Sequence, residues 1–501
     1  MNPQKPHELP LLLKNALALH RAGQLAQAEL LYLDVLQISP EQFDALHLLG
    51  LIAKQQSRPQ SAIELFRKAI QVDASQAIVH CNLGAVLQEI GLIQEALGSY
   101  DRALELKPDY AMALNNRGNA LRALGQIEMA LQSYSMALQI LPNYPEAYYN
   151  RGIAKQAAGL FTPAIDDFDC AVQLKPDYAA AYFARGTSLQ SLHRYPDALA
   201  SYERAIQTKP DYTEAFFNRG IVLQRMHAYD EALGSYDRAL QLRPTYANAL
   251  QCRGNVLRLL GRIAEAIAAY HCALEYGADA VQVNYALAAL GVGAVPTTAP
   301  PGYVKELFDQ YADHFDQHLL GVLEYEVPQL IAQAIKRHLD VIDIDSLDLG
   351  CGTGLCGPFL RPYSLNLVGV DLSQNMLDKA HQRKVYDQLV CGELSEFLSP
   401  QIGAYDLIVA ADVFVYIGDL SSVFWRVSRA LRSNGLFCFS VEISNTEEFI
   451  LRSSNRYAHA LSYLQRLADL NELVIQESKE EFARRDNGEA IAIHVVLARR
   501  K

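Results

Sequence analysis

A glycine returns every 34 residues through the first half of this 501-residue chain: Gly50, Gly84, Gly118, Gly152, Gly186, Gly220 and Gly254. Ala96, Ala130, Ala164, Ala198, Ala232 and Ala266 keep the same rhythm, and Pro108, Pro142, Pro176, Pro210 and Pro244 form a third series with Pro40 ahead of it. Three series in register mean one short unit copied many times. The unit ALNNRGNALRALGQIEMALQSYSMALQILPNY carries apolar residues at helical spacing in two stretches, which predicts a pair of helices. Glycine and alanine stand where paired helices approach too closely for a larger side chain. Proline opens the turn between units, where its missing N–H costs nothing. One helix pair cannot bury its apolar face, but eight in a row make a continuous core.

These units resemble the tetratricopeptide repeat family over roughly residues 9–280. The first unit lacks the glycine, Ala74 and Ala278 replace proline, and VQVNYALAALG is expected to add a closing helix, so the repeat region is assigned to 9–290. Such a stack curves, with the first helix of each pair lining the concave side. Asn82, Asn116, Asn150 and Asn218 share one position of that helix, interrupted by Ala184 and Cys252. A row of amides offers donors and acceptors to the backbone of an extended peptide; alternatively, the amides bond the next helix within the stack. Tyr148, Tyr149, Tyr182, Phe183, Phe216 and Phe217 repeat with the same period and read as packing between units.

The rhythm stops at GVGAVPTTAPPG, residues 291–302, which is read as a linker. A mostly helical lead-in, 303–340, follows, and from there strands alternate with helices to the C-terminus. That alternation predicts a mostly parallel sheet with its ligand beyond the carboxyl ends of the strands. The final pair, ELVIQESKEE and EAIAIHVVLAR, reads as an antiparallel hairpin turning at Asn487-Gly488. Tyr311 and Phe315 share a face of the lead-in helix, which reads either as packing or as a pair closing over a cofactor; His314 and His318 share a face without a carboxylate partner, so no metal is expected.

LDLGCGTGLCG, residues 347–357, satisfies GxGxxG, with Asp371 ending the next strand. A dinucleotide would need a second complete nucleotide-binding half, which the remaining chain does not provide. A phosphate loop would need GK[ST] after the glycines, and none follows. S-adenosyl-L-methionine carries no phosphate; here glycines allow close backbone approach, and a fixed carboxylate accepts both ribose hydroxyls. LDLGCGTG, VGVDLSQNML, CGEL and YDLIVAADVFVY together resemble the class I S-adenosylmethionine-dependent methyltransferases over about 305–501. The resemblance implies a Rossmann-like α/β domain over 303–501, with a seven-stranded sheet in the order 3-2-1-4-5-7-6 and strand 7 antiparallel. It implies cofactor contacts at Gly350, Gly352, Gly354, Asp371, Glu393, Leu394 and Asp412. Leu372 and Met376 are expected to flank one adenine face, with Tyr311 a candidate to close over the cofactor. The whole chain resembles bacterial repeat–methyltransferase fusions, which carry YADHFDQHL before the domain and RYAHALSYLQRLA after the fifth strand.

Asp412, Tyr416 and His459 are the candidate catalytic groups, His459 for its intrinsic pKa and Asp412 for its place at the fourth strand exit. Arg456 reads either as a group orienting an acidic substrate or as a member of an ordinary salt bridge. Nucleic acid is disfavoured as acceptor: the fourth strand exits into Ala410-Ala-Asp-Val413 rather than [DN]PP[YF], and the net charge is −12. A small molecule or a protein, peptide or carrier-bound acceptor makes better use of the repeats. The competing reading is a repeat scaffold whose terminal domain binds cofactor with little or no activity. Eight scattered cysteines without CxxC, no secretory pattern and no long apolar run point to a cytoplasmic protein with reduced thiols.

Overall fold

The computed structural model describes residues 9–311, 315–317, 319, 321, 323–339, 341–446, 448–486 and 489–501. The chain forms two compact units, Met1–Pro244 and Thr245–Lys501. Among its described residues the first holds helices and their turns without strands, in seven pairs, from Leu9–Arg21 with Leu25–Ile38 to Thr213–Arg225 with Tyr229–Leu242. Its periodic glycines have a sharper purpose than helix proximity alone. A Cβ on Gly118 would lie 2.5 Å from the Tyr134 ring, on Gly84 2.7 Å from Tyr100, and on Gly186 2.6 Å from Tyr202. Each glycine is the socket for a ring sixteen residues on, and those rings are fully buried or nearly so. The phenol oxygens stay satisfied at the socket's edge, Tyr134 Oη donating to Asn119 Oδ1 at 2.7 Å and Tyr202 Oη to Gln190 Oε1 at 2.8 Å.

A second ladder is polar. Arg117 donates to Asp101 and Ser133, Arg151 to Asp167 and Ser135, Arg185 to Asp169 and Ser201, and Arg219 to Glu203 and Ser235. Each guanidinium ties its own helix to second helices on either side. The asparagine row is turned into the stack as well. Asn82 Nδ2 lies 2.8 Å from His47 Nε2 in the preceding unit, and Asn150 Nδ2 donates to Asn115 Oδ1 at 2.9 Å. Asn218 Nδ2 bonds its own helix at Glu214 O, and Asn116 Nδ2 sits 4.0 Å from Cys81 Sγ. The amide donors therefore serve the repeats themselves. The recurrent rings pack between units, with centroids 5.0 Å apart for Tyr149–Tyr178 and for Phe183–Tyr212.

The second unit opens with an eighth pair, Ala247–Leu259 and Ile263–Glu275, and a closing helix Ala280–Ala289 capped by Asp279. The proline-rich segment after it is bonded in place. Gly418 N and Asp419 N both donate to Thr297 O at 2.9 Å, and Ala299 N donates to Tyr416 O at 2.8 Å. Tyr457 Oη donates to Pro296 O at 2.7 Å, and Tyr285 Oη, from the closing helix, donates to Asn455 O at 2.8 Å.

The sheet is built from β1 (Ile344–Leu349), β2 (Ser364–Asp371), β3 (Gln388–Cys391), β4 (Tyr405–Ala410), β5 (Leu431–Ile443), β6 (Phe449–Leu451), β7 (Tyr457–His459), β8 (Leu473–Asp486) and β9 (Glu489–Arg500). β3-β2-β1-β4-β5 run parallel, β9 lies antiparallel against β5, and β8 pairs antiparallel with β9. The order β3-β2-β1-β4-β5-β9-β8 is the expected 3-2-1-4-5-7-6. Alternation along β5 shows why both faces are covered: Phe437 and Phe439 join one apolar cluster, Leu436 and Cys438 the other. Two short strands were not anticipated. β7 continues the sheet beside the end of β5, pairing Glu442 with Ala458 and Ile443 with His459, and β6 pairs with β7. Residues 457–459 are thus strand, and the helix that follows begins at Leu461. Asn487, Gly488, His314 and His318 lie outside the described residues. Among the described residues, no helix is long and apolar enough to cross a membrane.

Candidate functional site

A cavity of about 470 Å³ opens at the carboxyl ends of β1, β2 and β4. Its floor is the glycine turn after β1. Gly350 and Gly352 both hold left-handed backbone, at φ +65° and +52°, a region costly for any residue with a side chain. At Gly352 a Cβ would meet nothing within 4 Å, so the bare backbone faces open space where a ligand can approach. Gly354, also left-handed, does not line the cavity; a Cβ there would lie 2.9 Å from the Tyr386 ring, and its N–H closes the turn onto Cys351 O. Its work is to let the chain enter the next helix against Tyr386.

Asp371, at the end of β2, is tied to the turn: Oδ2 accepts from Gly352 N and Oδ1 from Ser373 N, each at 2.9 Å. Burial raises the carboxyl's pKa against the backbone N–H bonds that favour its ionised form. Asp348, buried on β1, lines the same end and accepts from Tyr386 Oη at 2.6 Å; burial carries its pKa up to about 7. Leu372, Glu393 and Leu394 complete this end. Glu393 also caps the helix Leu394–Leu398, its Oε2 accepting from Glu396 N. Met376 is not part of the wall. Ser373 caps the helix Gln374–Gln382, and the register this sets turns Met376 fully inward.

The lead-in helix Pro301–Tyr311 supplies the roof through Val304, Leu307 and Phe308, with Phe315 beyond it. The Tyr311 side chain lies outside the described residues. Thr353 in the glycine turn donates to Asp316 Oδ1 at 2.5 Å, and Arg383 also pairs with Asp316, so the lead-in is bonded to the loop it covers.

The opposite end is ionic. Asp412, just past β4, holds φ +57°, strain of roughly 1–3 kcal/mol for a non-glycine residue. Its backbone N–H donates to Ser440 Oγ at 2.8 Å. Its carboxylate is gripped by Arg456 Nη2 at 3.0 and 2.9 Å and by Arg484 Nη1 at 3.3 and 3.0 Å. Glu442 on β5 accepts from Arg456 Nε and Arg484 Nη2, both at 2.9 Å, and from Arg452 Nη1 at 3.1 Å. Burial alone would raise the Asp412 pKa, but the two arginines overcome it and hold the group below its ordinary value. Tyr416 lines this end with Arg456 over its ring at 5.4 Å; burial lifts its pKa to about 12, so the phenol keeps its proton.

His459 is not at the cavity. It is fully buried in β7, its Nε2 2.9 Å from Ile417 O and 3.0 Å from Gly418 O. Two carbonyls require Nε2 to carry a proton and donate, and burial lowers the ring's pKa to about 4. It holds the Ile417–Gly418 loop and is not available as a base. Arg484 was missed by sequence reasoning. A register shift in β8 between Phe482 and Arg484 breaks the alternation, so Ala483 and Arg484 are both buried.

Comparison with known proteins agrees with these features. The family model described as "Methyltransferase domain" matches residues 347–437; tetratricopeptide repeat models match 13–77, 183–247 and 99–132, and a TPR repeat model matches 118–159. A malonyl-[acyl-carrier protein] O-methyltransferase of Legionella pneumophila is 25% identical over 183 residues, 35% of this chain and 62% of that protein. The biotin biosynthesis bifunctional protein BioHC of Saccharophagus degradans is 34% identical over 141 residues, 27% of this chain and 24% of that protein. The chain thus spans less than two thirds of these relatives' length. The crystal structure of YrrB, described as a TPR protein with an unusual peptide-binding site, is 26% identical at a TM-score of 0.34, covering 38% of this chain and 97% of its own. An N-terminal tetratricopeptide-repeat region fused to a C-terminal methyltransferase-like domain is what this chain contains.

Proposed function

We propose that the C-terminal domain is an S-adenosyl-L-methionine-dependent methyltransferase and that the repeat region recruits a protein, peptide or carrier-bound acceptor to it. The observation that carries the reading is the Asp371 carboxylate at the cavity wall, fixed by the glycine turn, an acceptor that suits a pair of ribose hydroxyls. Charge argues for the same ligand. Asp348, Asp371 and Glu393 line this end, and three acids repel a pyrophosphate while favouring a ligand that carries ammonium and sulfonium groups. Gly350, Gly352, Leu372, Glu393 and Leu394 would hold the nucleoside. When bound, the cofactor supplies a methyl group on a sulfonium leaving group. The chain's own task is then alignment and exclusion of water, to which Phe308 and Phe315 contribute as the roof. Asp412 and Tyr416 border the acceptor side. An acceptor on a carrier protein is supported by the relatives whose names specify an acyl-carrier protein.

Titration calorimetry of the full chain with S-adenosyl-L-methionine tests the reading. Saturable heat is expected, and Asp371→Ala should weaken binding about 100-fold through loss of two charge-assisted hydrogen bonds. No heat, or equal affinity in the variant, would leave only the scaffold. A chain starting at Thr245 keeps the second unit whole and should bind cofactor normally while turning over acceptor more slowly; equal turnover would end the recruitment idea.

A further inference from the structure

The acceptor end of the cavity is unlike the cofactor end, and its charge is unbalanced. Three guanidinium groups, Arg452, Arg456 and Arg484, meet two carboxylates, Asp412 and Glu442, leaving a surplus of one positive charge. Arg484 and Glu442 are almost wholly buried, with side chains 5% and 2% exposed, whereas Arg452, the third cation, is 37% exposed and lies off the cavity wall, so the field inside the cavity is set by Arg456 and Arg484. Both Arg456 and Arg484 line the cavity. Donors remain as well: Arg456 Nη1 carries two N–H groups, and its bond to Tyr416 Oη is long, at 3.4 Å. These groups come from β5, β8 and the turn before β7, across the sheet from Asp371 on β2.

The same end holds no free base among the described residues. Asp412 is clamped by two arginines, Tyr416 retains its proton, and His459 is walled off behind the Ile417–Gly418 loop. A hydroxyl acceptor would need a group to take its proton. An ammonium would need the same and would be repelled by the arginines.

We infer that the methyl acceptor is a carboxylate, steered by Arg456 and Arg484, and that the product is a methyl ester. This rests on the methyltransferase reading above. An oxygen lone pair of the ionised carboxylate forms the new bond to the methyl carbon as that carbon's bond to sulfur breaks, sulfur keeping the electron pair. No proton moves, which matches the missing base. Arg456 and Arg484 act as binding groups for the anion, with Asp412 and Glu442 fixing their planes.

The test begins with the full chain incubated in cell lysate with methyl-labelled S-adenosyl-L-methionine, followed by mild alkali treatment of the labelled product. Release of the label as methanol marks a carboxyl ester and supports the inference; label that survives alkali overturns it. No labelled product despite calorimetric cofactor binding would overturn the methyltransferase reading, and this inference with it. The arginines are tested by Arg456→Lys, which keeps the charge and loses the fork, and by Arg456→Gln. Labelling should fall about tenfold or more for Gln and less for Lys, with cofactor affinity unchanged. A parallel loss of cofactor affinity would overturn the assignment by showing that the arginines serve the cofactor. Should the Gln variant fail to fold, the Lys variant and the alkali result still decide.

Discussion

The arginines of the repeats and those of the cavity answer opposite demands. Arg117, Arg151, Arg185 and Arg219 are 21–27% exposed at the side chain, and each meets a carboxylate and a serine hydroxyl in a pattern that repeats with the helices. The carboxylates facing Arg117, Arg185 and Arg219 are about half exposed, so those charges are matched locally and shared with water; Asp167, facing Arg151, is the buried exception and is held by Lys155 as well. Arg456 and Arg484 are drawn from distant parts of the chain, are more deeply buried, and outnumber their partners when Arg452 is included. A matched, half-exposed pair builds architecture. A buried cluster drawn from distant segments is costly to assemble and is kept where charge does chemistry.

The contrast is sharpest in stability. Arg484→Leu leaves Asp412 and Glu442 with fewer donors in the interior and should destabilise the second unit by about 3–5 kcal/mol, whereas Arg185→Leu should cost the first unit less than about 1 kcal/mol. Native-state hydrogen exchange in β8 and in the helix Ala179–Ser191 would measure both; equal losses would erase the distinction.

Within the first unit, the sockets matter more than the salt ladder. Gly118→Ala drives a methyl into the Tyr134 ring and should cost about 1–3 kcal/mol. Gly98→Ala, with nothing within 4 Å, should stabilise its helix by about 0.5–1 kcal/mol. Urea unfolding of the two variants gives the comparison, and like effects would show that the period does not reflect the rings.

At the cofactor end the balance is acidic and pH-sensitive. With its pKa near 7, Asp348 gains a proton as pH falls, loses its attraction for a cationic ligand, and lets affinity fall by up to about tenfold per pH unit below 7. Above that pH affinity should level off. Asp348→Asn should bind more weakly and lose this dependence; calorimetry from pH 6 to 8 checks it (both limits roughly one unit either side of the titration).

The smallest effect is expected at the closing helix. Tyr285 Oη supports the turn carrying Asn455 and Arg456, so Tyr285→Phe should raise the acceptor KM about fivefold at constant kcat, as one lost hydrogen bond would. An unchanged KM would detach this helix from the site.

How much of this was legible in the sequence follows from the range of the interactions. The repeat boundaries were readable because a 34-residue period averages over many copies, and its proline marks coincide with the turns. The glycine turn and Asp371 were readable because both sit at predictable strand ends. Asp412 was placed at the cavity, but its clamp was not visible, because Arg456 and Arg484 lie 44 and 72 residues away. Arg484 was hidden further by a bulge that no alternation pattern contains. His459 and Met376 show the opposite error: residue chemistry suggested a role, and local register buried both. The segment 291–302 reads as a linker by composition, and composition does not show that backbone bonds at Thr297 and Ala299 fasten it to the sheet domain.

The most direct test of the central claim is a crystal structure of the full chain with S-adenosylhomocysteine. The expected result is the ribose with both hydroxyls within hydrogen-bond reach of Asp371 and the sulfur directed toward the Asp412 end. A ligand seated elsewhere, or Asp371 turned away from the sugar, would contradict it.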